Sequence, residues 1–377
     1  MNDPRRYDFL IVGAGLFGAC FARIATDSGK RVLVLERRQH IGGNCYTESV
    51  DGIHIHRYGP HIFHTSNQQV WDFVTQYATF NGFVNSPLAF SQGELFSLPF
   101  NMYTFYKMWG LRWPHEVAEK LSEQCLQLDR PPANLEEQAL CLVGSDIYER
   151  LIKGYTQKQW QKHPKELPAS IIKRLPLRLT FDNNYFNDRY QGIPQGGYTA
   201  LFERLLSGID VRTSVDYHQD RRFWDDQATR VVYTGKIDEL FGYDQGELDY
   251  RALRFEDEWH DISNYQGNAV INYCDPDVPY TRLIEHRHFD PPQFQETLST
   301  VVTREIPVRW DRSETPYYPI NDRRNSSIYS AYAQRAESLP GLILGGRLAE
   351  YKYYDMHAVI ASALLKTKQL GLRPSRH

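Results

Sequence analysis

Three glycines and one acid carry the first chemistry legible in the chain. Gly13, Gly15 and Gly18 stand as G-x-G-x-x-G, and Glu36 follows 23 residues after Gly13. In such a turn the first glycine permits a tight bend and the second lets the backbone approach a pyrophosphate. The third lets a helix lie close on a strand. The N-terminus of that helix offers free N–H groups and a positive dipole end to phosphates. A carboxylate at the end of the next strand accepts bonds from ribose hydroxyls. The chemistry is the holding of a dinucleotide; a glycine turn in an ordinary βαβ unit is the plain alternative.

The motif alone does not choose between NAD and FAD. The stretch after Glu36, Arg37-Arg38-Gln39-His40-Ile41-Gly42-Gly43-Asn44, does. A basic cluster and a second Gly-Gly past the ribose acid suit an extended dinucleotide, and they resemble the second fingerprint of glutathione-reductase-like FAD proteins. Near the other end, Gly341-Leu342-Ile343-Leu344-Gly345-Gly346-Arg347 repeats the logic of strand, glycine pair and helix start. Arg347 is read there as a phosphate or flavin contact, with a structural arginine at a strand end as the other option. His61 and His64 lie three apart behind Gly59-Pro60. No carboxylate or cysteine completes a metal set beside them, so no metal is expected. A loop presenting imidazole to a cofactor ring and a pair of satisfied histidines account for them equally well. Tyr155, Thr156 and Trp160 form a stripe that, by itself, is more often core than a base-binding face.

These residues need elements to place them. Tyr7 to Val12 reads as a buried strand, Ala19 to Ser28 as a helix closed by Gly29, and Arg31 to Leu35 as a second strand. Tyr46 to Ile55 reads as a hairpin turning at Asp51-Gly52. Val70 to Tyr77 has an amphipathic helical pattern, and Leu88 to Leu98 reads as two short strands around Gln92-Gly93. Helical spacing runs from Asn101 to about Gln161, broken at Pro114 and Pro131-Pro132 and reopened at Gly144. Lys165 to Arg178 is basic and broken by proline, and reads as a mobile connection. Val211 to Tyr217 and Arg230 to Gly235 read as strands returning to the first sheet. Phe255 to Val308 alternates as an antiparallel sheet does, and a helix from Met356 to Leu370 closes the chain.

At 377 residues the chain exceeds one typical domain, so two or three are expected. A hydrophobic content of 41% fills a large core, and a formal net charge of −3 gives no basis for a nucleic-acid or anionic-membrane partner. No apolar stretch approaches the length of a membrane span, and no signal peptide precedes the first strand. Five scattered cysteines without a CxxC read as reduced thiols of a cytoplasmic protein. The 25 tyrosines and 7 tryptophans fit core packing or a cleft for a sugar and a nucleobase, and only position separates the two.

Several longer strings then resemble one family along nearly the whole chain, from about residue 7 to about residue 370. They are Tyr58-Gly59-Pro60-His61-Ile62-Phe63-His64-Thr65, Asn85-Ser86-Pro87-Leu88, Gly154-Tyr155-Thr156-Gln157-Lys158-Gln159-Trp160 and Phe181-Asp182-Asn183-Asn184-Tyr185-Phe186. The string Gly345-Gly346-Arg347-Leu348-Ala349-Glu350-Tyr351-Lys352-Tyr353-Tyr354-Asp355-Met356 joins them. The family is the bacterial UDP-galactopyranose mutases. The resemblance implies an α/β protein: an FAD-binding Rossmann-like domain of the glutathione-reductase type, an inserted helical bundle and a six-stranded antiparallel sheet domain. The expected divisions are 1–77, 192–242 and 338–377 for the FAD domain and 98–164 for the helical domain. Segments 78–97, 165–191 and 243–337 would form the substrate domain.

The activity implied is interconversion of UDP-galactopyranose and UDP-galactofuranose on reduced FAD, for cell-surface glycan supply. Flavin N5 attacks the anomeric carbon, UDP leaves, and the opened sugar recloses through its 4-hydroxyl. Departing UDP needs a cationic clamp, and arginine suits it because it is always charged and bonds oxygens in pairs. By resemblance the clamp is Arg174 and Arg282, with His64 beside the sugar and flavin. Tyr155, Thr156 and Trp160 go to the uridine; Tyr185, Tyr318 and Tyr353 go to the diphosphate; Asn85 and Asn272 line the sugar site. Gly13, Gly15, Gly18, Glu36, Gly43 and Asn44 would hold FAD, together with Arg347, Asp355 and Met356. Phe17, Arg37 and His61 join that set. Leu151-Ile152 departs from members that carry two aromatics beside the uracil. A homo-oligomer, a dimer or larger, is expected. Two other readings share the dinucleotide motifs: an amine-oxidase-type FAD oxidoreductase, against which the Arg174 and Arg282 pair argues, and a flavin-free protein that shuttles lipidated GTPases.

Overall fold

The computed structural model describes residues 6–172, 176–290 and 298–373. A five-stranded sheet, parallel throughout, runs in the order Leu342–Leu344, Ala228–Tyr233, Tyr7–Val12, Val32–Leu35, Asp210–Arg212. Its central strands are apolar because both faces are covered; Leu10, Leu33 and Val34 are wholly buried. Helix Leu16–Asp27 follows the opening strand and packs on the closing helix Met356–Gln369. The first and last helices thus meet over one face of the sheet. The strand expected over Val211 to Tyr217 stops at Arg212, and Tyr217–Asp220 turns as a short 3-10 helix instead.

The second sheet has seven strands where six were expected. Its order is Pro316–Pro319, Tyr250–His260, Thr300–Val308, Arg282–Glu285, Val270–Tyr273, Leu88–Ser91, Glu94–Ser97. It is not wholly antiparallel either, since Val270–Tyr273 and Leu88–Ser91 run parallel. The cause is topological. The hairpin Leu88–Ser97 is made early in the chain and docks on the edge of a sheet built much later.

Between that hairpin and the later strands lies the helical segment. Asn101 caps helix Met102–Trp109 in a reciprocal capping box with Thr104, and Gly110 ends the helix in the left-handed conformation. Pro114 opens the next helix, Pro114–Gln124, and Leu135–Ile147 follows under an Asn134 cap. Gly144 has φ +75° within the latter, which is why the helical pattern reopens there. The chain continues through a π-helical stretch, Tyr148–Lys153, into helix Gly154–Trp160. Leu151 and Ile152 lie on that stretch with 5% exposure each, packed into the apolar core of this segment. No helix among the described residues is long and apolar enough to cross a membrane.

Candidate active site

Two cavities lie against each other where the sheets meet, sharing Asn44, His61, Tyr317, Arg347 and Met356 in their walls. The first opens at the carboxyl ends of the parallel strands, where open α/β sheets bind ligands. Gly13 has φ +108°, and a Cβ there would lie 2.1 Å from Thr234 Oγ1. A Cβ on Gly18 would lie 2.0 Å from the Gly13 carbonyl oxygen, so helix and strand can approach only without one. Gly15 differs. It caps the helix in an extended conformation, and a Cβ there would meet only the Gly43 Cα at 3.9 Å. Gly15 therefore faces open space at a helix N-terminus, with the second glycine turn opposite it; a hydrogen bond from Gly42 N–H to Ala14 O, 2.9 Å, ties the turns together.

The cradle fits a dinucleotide. A side chain on Gly15 would fill the space, and the buried Nη1 of Arg38 and Nε of Arg347 have no partner among the described residues. Glu36 is buried, its two oxygens accepting the backbone N–H of Ala14 and of Arg38 at 2.9 Å each. Each carboxylate oxygen keeps a second lone pair for a ribose hydroxyl. Phe17 lines the cavity and lies under Gly345, whose Cβ would meet its ring at 2.1 Å. Arg37 also lines this cavity, about half exposed and 3.7 Å from Glu239. Arg38 is the better-placed arginine: its Nη2 donates to Asn44 Oδ1 at 2.9 Å and its guanidinium covers the Tyr58 ring.

His61 stands on the shared wall, its Nδ1–H donating to the Gly59 carbonyl at 2.7 Å. Burial, helped by the charges of Arg347 and Arg282, lowers its pKa to about 4, so the ring is neutral near pH 7. His64 lines the second cavity and donates from Nδ1 to Asp188 at 2.6 Å, stacked 3.7 Å from Phe186. His64, Asp355 and His357 bring potential ligand atoms within 4.8 Å of one another, but Asp188 already occupies the Nδ1 of His64. Asp355 and Met356 sit at the start of the closing helix and face the second cavity.

That second cavity is built on the mixed sheet. Arg282 pairs across the ladders with Asn272 on one side and Glu305 on the other, so all three point to one face. Arg282 Nε donates to the Tyr155 hydroxyl at 3.1 Å, and its Nη1 lies 3.6 Å from Glu305. Burial works against its charge, but Glu305 and Tyr155 outweigh that and hold it firmly protonated. The buried Asn272 Oδ1 has no partner among the described residues. Asn85 and Tyr185 line the same cavity, joined by a bond from the Tyr185 N–H to the Asn85 carbonyl. Tyr318 and Tyr353 stack at 4.6 Å on its other wall.

The structure does not gather every residue picked out from the sequence. Thr156 and Trp160 are buried in the helical segment and line neither cavity, although Trp160 lies beneath Arg251. Gly18 works under the first cavity, not in its wall. Arg174 lies outside the described residues. Within the basic cluster after Glu36 the structure singles out Arg38, and it adds Asp188, Arg251, Glu305 and Tyr317. Of these four, Arg251 had a readable signal, a charge inside the apolar run Tyr250-Arg251-Ala252-Leu253.

The comparisons with known proteins bear on the whole arrangement. The model of the family described as UDP-galactopyranose mutase matches residues 150–353, and that of an NAD(P)-binding Rossmann-like domain matches 11–77. The chain is 39% identical to the dTDP-fucopyranose mutase of Escherichia coli, covering 94% of this chain and 96% of that one. It is 40% identical to the probable UDP-galactopyranose mutase of Klebsiella pneumoniae, over 95% and 93%. Its fold superposes on a crystal structure of reduced UDP-galactopyranose mutase with a TM-score of 0.73, at 14% identity over 97% and 94% of the two chains. Identity at this level over nearly the whole of both chains is common ancestry: the chain belongs to the UDP-galactopyranose mutases, a family of flavin-dependent isomerases.

Proposed function

We propose that this protein interconverts UDP-galactopyranose and UDP-galactofuranose with FAD as its flavin, used in the reduced state. The observation that carries the reading is the shared wall. A dinucleotide cradle opens onto a second cavity lined by three guanidinium groups and five tyrosines. An anionic nucleotide sugar in the second cavity would thus lie against the group in the first. When bound, reduced FAD supplies a nucleophilic ring nitrogen for the anomeric carbon.

The chain's own residues do the rest. Gly15, the helix N-terminus behind it and Glu36 hold the dinucleotide's phosphates and ribose. Arg282, kept charged by Glu305, takes the negative charge that develops on departing UDP, with Arg174 as the second half of the clamp. Tyr185, Tyr318 and Tyr353 donate to the diphosphate, while Asn272, Asn85 and His64 face the sugar. The Asp188 contact leaves His64 Nε2 as the nitrogen free to meet a ligand. Tyr155 holds Arg282 in place, and Thr156 and Trp160 support the uridine end from behind. Segments 1–77, 192–242 and 338–377 serve the cofactor and the remainder serves the substrate. A homo-oligomer in the cytoplasm, feeding a glycan precursor pool, completes the proposal; five free cysteines suit a reducing compartment.

The test is product analysis. Purified protein incubated with UDP-galactofuranose should give the pyranose only when the flavin is reduced with dithionite. Equal conversion by the oxidised protein, or none by the reduced one, overturns the reading. The same assay with dTDP-fucopyranose decides a second reading, which the E. coli relative favours at an identity equal, within a percentage point, to that of the Klebsiella one.

A further inference from the structure

Arg251 is a buried cation with no acid paired to it among the described residues. It lies on strand Tyr250–His260 opposite Tyr318, beside a register shift between Arg251 and Ala252. Its exposure is 6%, and what remains faces the second cavity. The guanidinium is held between two rings, 4.9 Å from that of Trp160 and 5.3 Å from that of Tyr318. Nε donates to the Gln159 carbonyl at 3.2 Å. Among the described residues, none accepts a bond from Nη1 or Nη2, and no carboxylate lies within ion-pair distance.

The neighbouring arginines are different. Arg282 has Glu305 at 3.6 Å, and Arg347 spends both terminal nitrogens on the carbonyls of Tyr317 and Tyr354, at 3.0 and 2.6 Å. Aromatic faces soften the cost of burying a charge but do not neutralise it. Three elements nonetheless hold Arg251 in one orientation with its terminal N–H groups toward the cavity. Burial raises the hydroxyl pKa values of Tyr155 and Tyr353, and Arg251 is among the charges that pull each back, so its field reaches both.

We propose that Arg251 binds the diphosphate of the nucleotide sugar directly, its two terminal nitrogens taking phosphate oxygens beside Tyr318 and Tyr353. The assignment rests on the mutase reading and adds to it a fixed anion site on the sheet, distinct from the Arg282–Glu305 pair. An arginine whose charge is already matched sets geometry; one whose charge is unmatched supplies attraction. Arg251 is the second kind. Its fork geometry suits paired oxygens, which an ammonium cannot match.

The experiment compares UDP with uridine on flavin-loaded enzyme. Arg251→Gln should raise the dissociation constant for UDP at least tenfold and change that for uridine less than twofold, and R251K should recover part of the loss. Unchanged UDP affinity, or an equal loss for uridine and UDP, overturns the proposal and leaves Arg251 as a strut between Trp160 and Tyr318. Should R251Q fail to fold, R251K decides: UDP weakened with uridine unchanged supports the assignment, and both unchanged or both weakened alike overturn it. Wild-type enzyme that neither binds UDP nor turns over the sugar overturns the function reading and this assignment together. Wild-type turnover beside unaltered UDP affinity in the variants overturns the assignment alone.

Discussion

Arg282 gathers the constraints that a clamp residue needs. Strand pairing fixes its Cα between Asn272 and Glu305, and the Tyr155 hydroxyl fixes its Nε. A guanidinium aimed where charge develops contributes about 2.7–4 kcal/mol, roughly 100- to 1000-fold in rate. Arg282→Ala should therefore lower kcat/KM by that factor while the 450 nm flavin band survives. Tyr155→Phe removes one bond to a charged group, worth about 1.5–3 kcal/mol, and should cost about 10- to 100-fold. Loss of flavin in either variant, or rates within twofold of wild type, would show that Arg282 serves neither cavity as described. The glycine roles were legible because each follows from spacing: a positive φ at Gly13 and a close approach at Gly18 are backbone facts. Glu305 and Asp188 were not legible. A carboxylate that holds an arginine or a histidine across strands more than 20 residues apart leaves no local pattern.

Three histidines, His56 and His286 buried and His61 half-buried, knit three elements beside the shared wall. His56 ends strand Ile53–His56, His61 sits in the loop after it, and His286 begins the 3-10 turn His286–Phe289. His56 N–H donates to His286 Nδ1 at 3.2 Å, and His61 N–H to His56 Nδ1 at 3.1 Å. Burial lowers all three pKa values, that of His61 to about 4 and that of His286 to about 3. The unfolded chain protonates these rings near pH 6.5 and the folded one does not. Below pH 6.5 the unfolded state thus binds more protons, and stability falls as pH falls. His54 works the other way, its pKa raised by the bond from its ring to Asp290 against the effect of burial. Burial lowers the pKa values of His40, His218 and His357 as well, so one raised histidine stands against six lowered ones and the net sign is unchanged. The thermal midpoint should drop by several degrees between pH 6.5 and 5, above the range where carboxylates such as Glu285 contribute. His286→Gln should lower the plateau but flatten that slope; a midpoint level from pH 6.5 to 5 in the wild type would exclude the effect. At this scale the parallel sheet was legible, since strands buried on both faces read as apolar runs. The seventh strand was not, because docking the hairpin Leu88–Ser97 on Val270–Tyr273 is a contact across more than 170 residues.

At the scale of the molecule the question is why two cavities should share a wall. Domain order was suggested by the whole-chain resemblance, but composition and periodicity could not show that a glycine cradle and a sheet face meet. That juxtaposition is made by Arg347, which follows the last parallel strand, lies 4.3 Å from the Tyr318 ring and bonds the carbonyls of Tyr317 and Tyr354. It lines both cavities, and its buried Nε has no partner among the described residues. Removing it should loosen both ligands at once. Arg347→Met is expected to raise the flavin dissociation constant and the KM for the nucleotide sugar, each by about tenfold or more for the lost charge-assisted bonds. Two other variants separate the sides. Gly15→Ala keeps an allowed backbone and meets only Gly43 Cα at 3.9 Å, so it should fold and lose flavin. Arg282→Ala should keep flavin and lose sugar affinity. Flavin retention by filtration and UDP titration on the three proteins read the two sides independently. If Arg347→Met behaves like either of the others instead of like both, the cavities are neighbours without a common support, and a single continuous site spanning flavin and sugar is not what this fold builds.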